Sequence, residues 1–284
     1  RIVEEYNTLG NVSSNDIIIE SSMRFKKLSP HNLYSSETDK QTGTTYYVGL
    51  RAEQRLTSAL LFVTSEEIAK AAYIRGHNEQ YNVSELDTLL NYANYEVANV
   101  NLFREDIPED ISLIIIYGPT NDFTTDEIDK LDAFFERGGD AIIAMTPNVT
   151  DDLKNLNLFF QEWGVSYQDQ VIFDSAQSHS NFPSYVVPDI NSFEGITDNL
   201  QYKNHYAMIP GARSIELTNT QAGTNTVTVL MTSSETSYAK PIDQASMGYD
   251  QQESDAVGPF NMMAMSERFV SDKNLNYIRS SVLF

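Results

Sequence analysis

The 284-residue chain contains no cysteine. That absence excludes disulfides, thiolate metal ligands and a cysteine nucleophile together, and it leaves the redox compartment open, because a domain outside the cytoplasm can fold without cysteine. Basic residues are scarce as well: 19 Lys and Arg stand against 40 Asp and Glu, for a formal net charge of -21. A phosphate backbone needs clustered cations, so no nucleic-acid partner is expected; the acidity serves solubility instead. No stretch approaches the roughly 18 apolar residues of a membrane helix, and no signal peptide is read. No glycine-rich phosphate fingerprint is present, since Gly138 and Gly139 end a helix rather than begin one, and there is no Gly-x-Ser-x-Gly elbow. The four histidines, His31, His77, His179 and His205, share no metal spacing, so neither a metal nor a cofactor is expected. Arg1 at the start, and the strand-like Ser281–Phe284 with no turn after it, read as the ends of a piece cut from a longer protein whose membrane segments lie elsewhere.

What is present is clearest from Ser112 to Met145. Leu113–Ile116 is an apolar run without alternation, the pattern of a strand covered on both faces. Thr124 and Glu127 form a capping box, and Asp126 and Glu127 set negative charge against the positive end of the helix dipole. Ile128, Leu131, Phe134 and Phe135 follow helical spacing, with Asp126 and Lys130 able to pair on the wet side. Gly138 and Gly139 stop the helix, and Ala141–Met145 returns as a second buried strand. This is one βαβ unit, whose two strands should run parallel.

Around it the chain alternates. Residues 1–50 read as entry strands and a loop. A helix is expected over Arg51–Thr64 with Leu56, Leu60, Leu61 and Val63 inward, a strand over Ala71–Arg75, a helix over Glu85–Ala93 capped by Ser84, and a strand over Tyr95–Leu102. After the βαβ unit come a helix over Leu153–Trp163 and a strand over Val171–Phe173. The fold class expected is α/β: an open, mostly parallel Rossmann-like sheet with helices on both faces. Residues 51–173 form the core domain. Residues 174–284 extend the same sheet with long polar loops or add a small lobe. In that later part Ser214–Leu217 and Thr226–Met231 are expected to pair as a hairpin, Phe260–Phe269 to be a helix packed through Met262, Met263 and Met265, and Asn276–Phe284 to be the last strand.

The segments Leu56–Thr64 (LTSALLFVT), Ala72–Glu79 (AYIRGHNE), Ile107–Pro119 (IPEDISLIIIYGP), Glu127–Thr146 and Leu156–Val165 (LNLFFQEWGV), with Gly258, Pro259 and Phe260 near the end, resemble in order and spacing the gliding-motility-type (GldG-like) ABC transporter auxiliary proteins. The resemblance implies a Rossmann-like sheet akin to the class I glutamine amidotransferase fold. It implies an extracytoplasmic domain held at the cell membrane by segments absent from this chain, with the ABC permease and ATPase subunits as partners. It implies no catalytic residue. The family commonly has glycine where this chain has Asn78.

The candidate ligand site is the carboxyl edge of the sheet, where open parallel sheets bind ligands. His77, Asn78 and Glu79 follow the Ala71–Arg75 strand, and Asn121 lies in the Gly118–Asp122 loop after the next one. The competing reading is a turn in which His77 bonds to backbone and Glu79 begins the next helix, and a Gly118–Asp122 loop shaped for packing. Acidic pairs such as Glu105 with Asp106 read as solvated surface. The tyrosines of the later half, among them Tyr185, Tyr206 and Tyr249, would suit a sugar-binding groove. The function expected is therefore a non-catalytic transport-associated domain working through protein contact or capture of an unknown ligand; the alternatives are a degenerate hydrolase and a cell-surface glycan binder.

Overall fold

The computed structural model describes residues 12–39, 42–79, 83–147, 152–202, 206–218, 225–271 and 277–284. The chain divides into two compact units, residues 1–70 with 83–97, and residues 71–82 with 98–284.

The smaller unit contains β1 (Ile17–Glu20) and β2 (Phe25–Leu28), an antiparallel hairpin, then β3 (Tyr34–Thr38) and β4 (Thr45–Leu50), a second hairpin, and helix α1 (Ala52–Thr64). Arg24 donates to the Phe62 and Glu66 carbonyls, placing a cation where the α1 dipole is negative. The inward face of α1 is not the leucine face the spacing predicts. Arg55, Ala59 and Val63 are buried while Leu60 and Leu61 are exposed, because the Arg55 guanidinium finds the Tyr92 ring 3.3 Å away and turns that side inward. Helix α2 (Ser84–Tyr92) also belongs to this unit. Ser84 is its first residue and not its cap, and Val83 in the cap position makes no side-chain bond.

The remaining elements, in chain order, are β5 (Lys70–Ile74), β6 (Glu96–Val100), β7 (Ile111–Tyr117), α3 (Thr125–Glu136), β8 (Asp140–Ala144), α4 (Lys154–Glu162), β9 (Val165–Phe173), β10 (Tyr185–Val186), β11 (Asp189–Ile190), α5 (Asp198–Tyr202), β12 (Ile209–Pro210), β13 (Arg213–Leu217), β14 (Asn225–Thr232), β15 (Tyr238–Pro241), β16 (Ala256–Val257), β17 (Asn261–Ser271) and β18 (Tyr277–Leu283). Twelve strands share one mixed sheet in the order β16-β15-β9-β13-β17-β18-β8-β7-β5-β6, with β14 and β11 branching from β17.

The βαβ unit forms as its sequence dictates. β7 and β8 pair in parallel from Leu113 opposite Asp140 to Tyr117 opposite Ala144. Thr124 and Glu127 make both bonds of the capping box. Leu131, Phe134 and Phe135 are buried in the main core, where Phe135 meets Trp163 edge-on at 4.7 Å. Gly138 takes φ +89, and a Cβ on Gly139 would stand 2.2 Å from the Phe134 ring, so both glycines are required. Lys130 leaves Asp126 and pairs instead with Asp106 at 3.2 Å, because from there its ammonium also reaches the Leu102 and Glu105 carbonyls.

Beyond β8 the expectation of a mostly parallel sheet needs correcting. β18 joins β8 in parallel, but β9, β13, β14, β15, β17 and β18 pair with one another antiparallel. A parallel neighbour needs a crossover of a dozen or more residues, and the segment between Ser271 and Tyr277 is too short for one. The segment expected as a helix, Phe260–Phe269, is strand from Asn261 onward, as β17. Met262, Ala264 and Ser266 are buried and the residues between them only partly so, which is the period of a strand. β13 and β14 do not pair with each other as a hairpin; β14 runs along β17 from Asn225 opposite Arg268 to Thr232 opposite Asn261. The expected turn at residues 221–224 lies outside the described residues. The start of the polar stretch 233–257 is tied to the turn after β9 by Asp174, fully buried, which accepts from the Ala176, Gln177 and Ser234 amides.

Candidate functional site

β5 ends at Ile74, and the chain turns sharply at Gly76, whose φ of +122 suits glycine. β7 ends at Tyr117 and turns at Gly118, φ +60. The two turns meet: the Thr120 and Asn121 amides donate to the His77 carbonyl at 2.9 and 3.1 Å. Neighbouring strands whose following loops bond to each other run the same way, so His77 and Asn121 share one carboxyl edge.

At this edge the His77 ring is buried, 4 % exposed, and lies flat on Phe123 with centroids 3.6 Å apart and planes 4° from parallel. Its Nε2 stands 3.3 Å from Glu127 Oε1, and its Nδ1 stands 3.6 Å from Glu79 Oε1, beyond hydrogen-bond range. Each carboxylate is also held by the backbone. Glu79 accepts from the Gly76 and His77 amides at 3.3 Å, and Glu127 accepts from the Thr124 amide and hydroxyl at 2.9 Å. Burial pushes both carboxyls up, but the opposing bonds prevail and both lie below the ordinary carboxylate range. For Glu79 these come from His77 and from the Gly76 and His77 amides; for Glu127 they come from Thr124 and His77. The result is an imidazole between two ionised carboxylates, roofed by a phenyl ring.

Of the residues singled out from sequence, His77 and Glu79 enter this cluster. Asn78 flanks it, with φ +59 and its amide donating to the Thr120 hydroxyl at 2.8 Å. Asparagine tolerates the left-handed region that glycine favours, so Asn78 can hold this φ without a glycine. Asn121 is exposed and contributes its backbone amide. Sequence reasoning missed Glu127 and Phe123. A signal was available: in a parallel pair the amino end of the helix after one strand sits beside the loop after its neighbour, so the third residue of α3 was bound to approach His77. Asp122, at the end of the Gly118–Asp122 loop, caps α4 by accepting from the Asn155 and Leu156 amides at 2.9 and 3.1 Å. Among the described residues no group of three His, Cys, Asp or Glu is arranged to hold a metal. No described helix is long and apolar enough to cross a membrane.

Among solved structures the chain is similar to the mmIFT52 N-terminal domain, with 12 % identity and a TM-score of 0.51 over 75 % of this chain and 84 % of that one; this likeness is one of fold. It is also similar to the exo-beta-1,4-mannosidase Op5Man5 from Opitutaceae bacterium strain TAV5, with 16 % identity and a TM-score of 0.36 over 82 % of this chain and 33 % of that one. The chain thus spans about a third of that enzyme's length. No curated protein matches. Residues 59–262 match the family described as an ABC-type uncharacterized transport system, and they take in both the His77 turn and the Glu127 helix. With the match running over well more than half of its length, the chain belongs to this family of ABC transport auxiliary proteins.

Proposed function

We propose that the chain is a non-catalytic, extracytoplasmic domain of an ABC-type transport system, of the gliding-motility type, working through contact with the permease and ATPase subunits and anchored by membrane segments outside this chain. The scaffold is read as a variant of the amidotransferase-like sheet in which the edge that carries chemistry in such folds has become a structural clasp. The observation that supports this reading is the inward pairing of that edge. His77 Nε2 faces Glu127, both carboxylates accept from backbone amides and Glu127 from the Thr124 hydroxyl as well, and Phe123 covers the imidazole, whose buried Nδ1 faces Glu79 without a hydrogen bond. A general acid or base has to reach its substrate's proton, whereas a clasp has to be shut.

Affinity purification of the full-length protein from detergent-solubilised membranes tests the reading. Permease and ATPase subunits should co-purify in near-stoichiometric amounts, and His77→Gln should leave their recovery unchanged so long as the domain stays folded. Recovery of the protein without either subunit refutes it, as does turnover of ester, amide or glycoside substrates that His77→Gln abolishes.

A further inference from the structure

Within the smaller unit, a cavity of about 700 Å³ is lined by the Phe62, Tyr92 and Tyr95 rings, by Lys26, and by Asn91 and Asn94 at the end of α2. That volume holds a small organic molecule, and about half of the lining residues are charged or amide side chains, with Lys27, Asn32 and Glu96 beside those just named. The cavity wall carries two cations, Lys26 and Lys27, unusual for so acidic a chain, and a third, Arg55, lies outside the lining and meets it through Tyr92. The Lys26 ammonium stands 4.7 Å from the Phe62 ring centre and donates to Asn94 Oδ1 and, at 3.4 Å, to the Asn91 carbonyl, which leaves one of its three protons to spare. The Arg55 guanidinium lies on the face of Tyr92, 8 % exposed, with its Nε buried and lacking a hydrogen-bond partner. Among the described residues no carboxylate pairs with Lys26 or Arg55, although the adjacent Lys27 has Asp16 at 3.8 Å. Burial, and for Lys26 the charge of Arg55, pushes both cations below their ordinary pKa values. Capping of α2 accounts for the contact of Lys26 with Asn91. It does not account for the missing counter-ion of Lys26, or for the ring-lined space beside it.

We infer that this cavity binds a small organic acid, with one carboxylate set against Lys26 and an apolar or aromatic body packed along Phe62 and Tyr95. Glu96 and the Asn91 carbonyl on the cavity wall oppose a second negative charge, so a monocarboxylate fits better than phosphate. The inference goes beyond the transport role and does not depend on it.

The test is an NMR titration of the whole chain with phenylacetate, with phenylacetamide as the neutral isostere and inorganic phosphate as the bare anion. Phenylacetate should move the amides of Phe25–Leu28 and Asn91–Val97, with phenylacetamide and phosphate each about tenfold weaker or more. Lys26→Met should produce the same loss, and Lys154→Met, which lies outside the cavity, should bind as the unaltered chain does. Equal binding of acid and amide overturns the inference, as does phosphate binding as tightly as phenylacetate, or the absence of shifts in those segments at millimolar acid. Should Lys26→Met fail to fold, the comparison of acid with amide on the unaltered chain still decides.

Discussion

Glu127→Gln is the sharpest perturbation of the clasp, because it keeps the side chain's shape and removes only its charge. In the native chain the carboxylate receives the Thr124 amide and hydroxyl at 2.9 Å and stands 3.3 Å from His77 Nε2. Hydrogen bonds to charged groups contribute about 1.5–3 kcal/mol, and the substitution weakens this set without emptying the site, so a loss of about that size is expected near neutral pH. For a cooperative unit of roughly 200 residues, each kcal/mol shifts Tm by about 2–4 °C, giving a fall of about 3–12 °C. The pH dependence sharpens the test. The folded pKa of Glu127 lies below its unfolded value, so its contribution is fully present above the unfolded pKa and is lost as pH falls through the lowered folded one. The gap between native and variant should therefore be widest from about pH 5 to 7 and should narrow below about pH 4. Urea denaturation across that range measures it. A variant as stable as the native chain at neutral pH, or a gap that widens in acid, refutes the account of the clasp.

Further substitutions test other contacts of the larger unit. Gly139→Ala sets a methyl against the Phe134 ring and should cost about 1–3 kcal/mol by thermal denaturation, with little change in far-ultraviolet circular dichroism. Asp122→Ala uncaps α4 and should cost about 1 kcal/mol, while Asp122→Asn should keep most of it, as urea midpoints will show. Lys240 and Asp255 are both buried, 3.5 Å apart, so Lys240→Met alone should cost about 3–5 kcal/mol. The double variant with Asp255→Leu should recover much of that in denaturant melts, since no unpaired charge is then left inside.

What could be read from the sequence followed from how local its causes were. The β7–α3–β8 unit is written in neighbouring residues: an unbroken apolar run, a Thr–Glu capping box three residues apart, and two glycines that each meet a steric need. The placing of His77 and Glu79 at a strand's carboxyl end was legible for the same reason. The closure of the site was not, because Glu127 and Phe123 lie more than 40 residues further along and Glu127 was already explained by its cap. β17 was misread as a helix because Met262, Met263, Met265 and Phe269 satisfy helical spacing about as well as alternation, and only its partners β14 and β18 settle the choice. α1 showed its amphipathic period correctly, but which side turned inward depended on Arg55 meeting Tyr92, 37 residues away in sequence. α1 and α2 fall in the smaller unit, which their period could not announce, since a period tells that a face is buried and not what buries it.

The absence of cysteine makes the central claim, a transport-associated domain displayed outside the membrane, directly measurable. Phe103 is 80 % exposed, so Phe103→Cys in the full-length protein offers one reactive thiol on this domain, with the unaltered protein as the blank. A membrane-impermeant maleimide should label it in cells with the cytoplasmic membrane intact as fully as after lysis. Labelling that appears only once that membrane is broken contradicts the account.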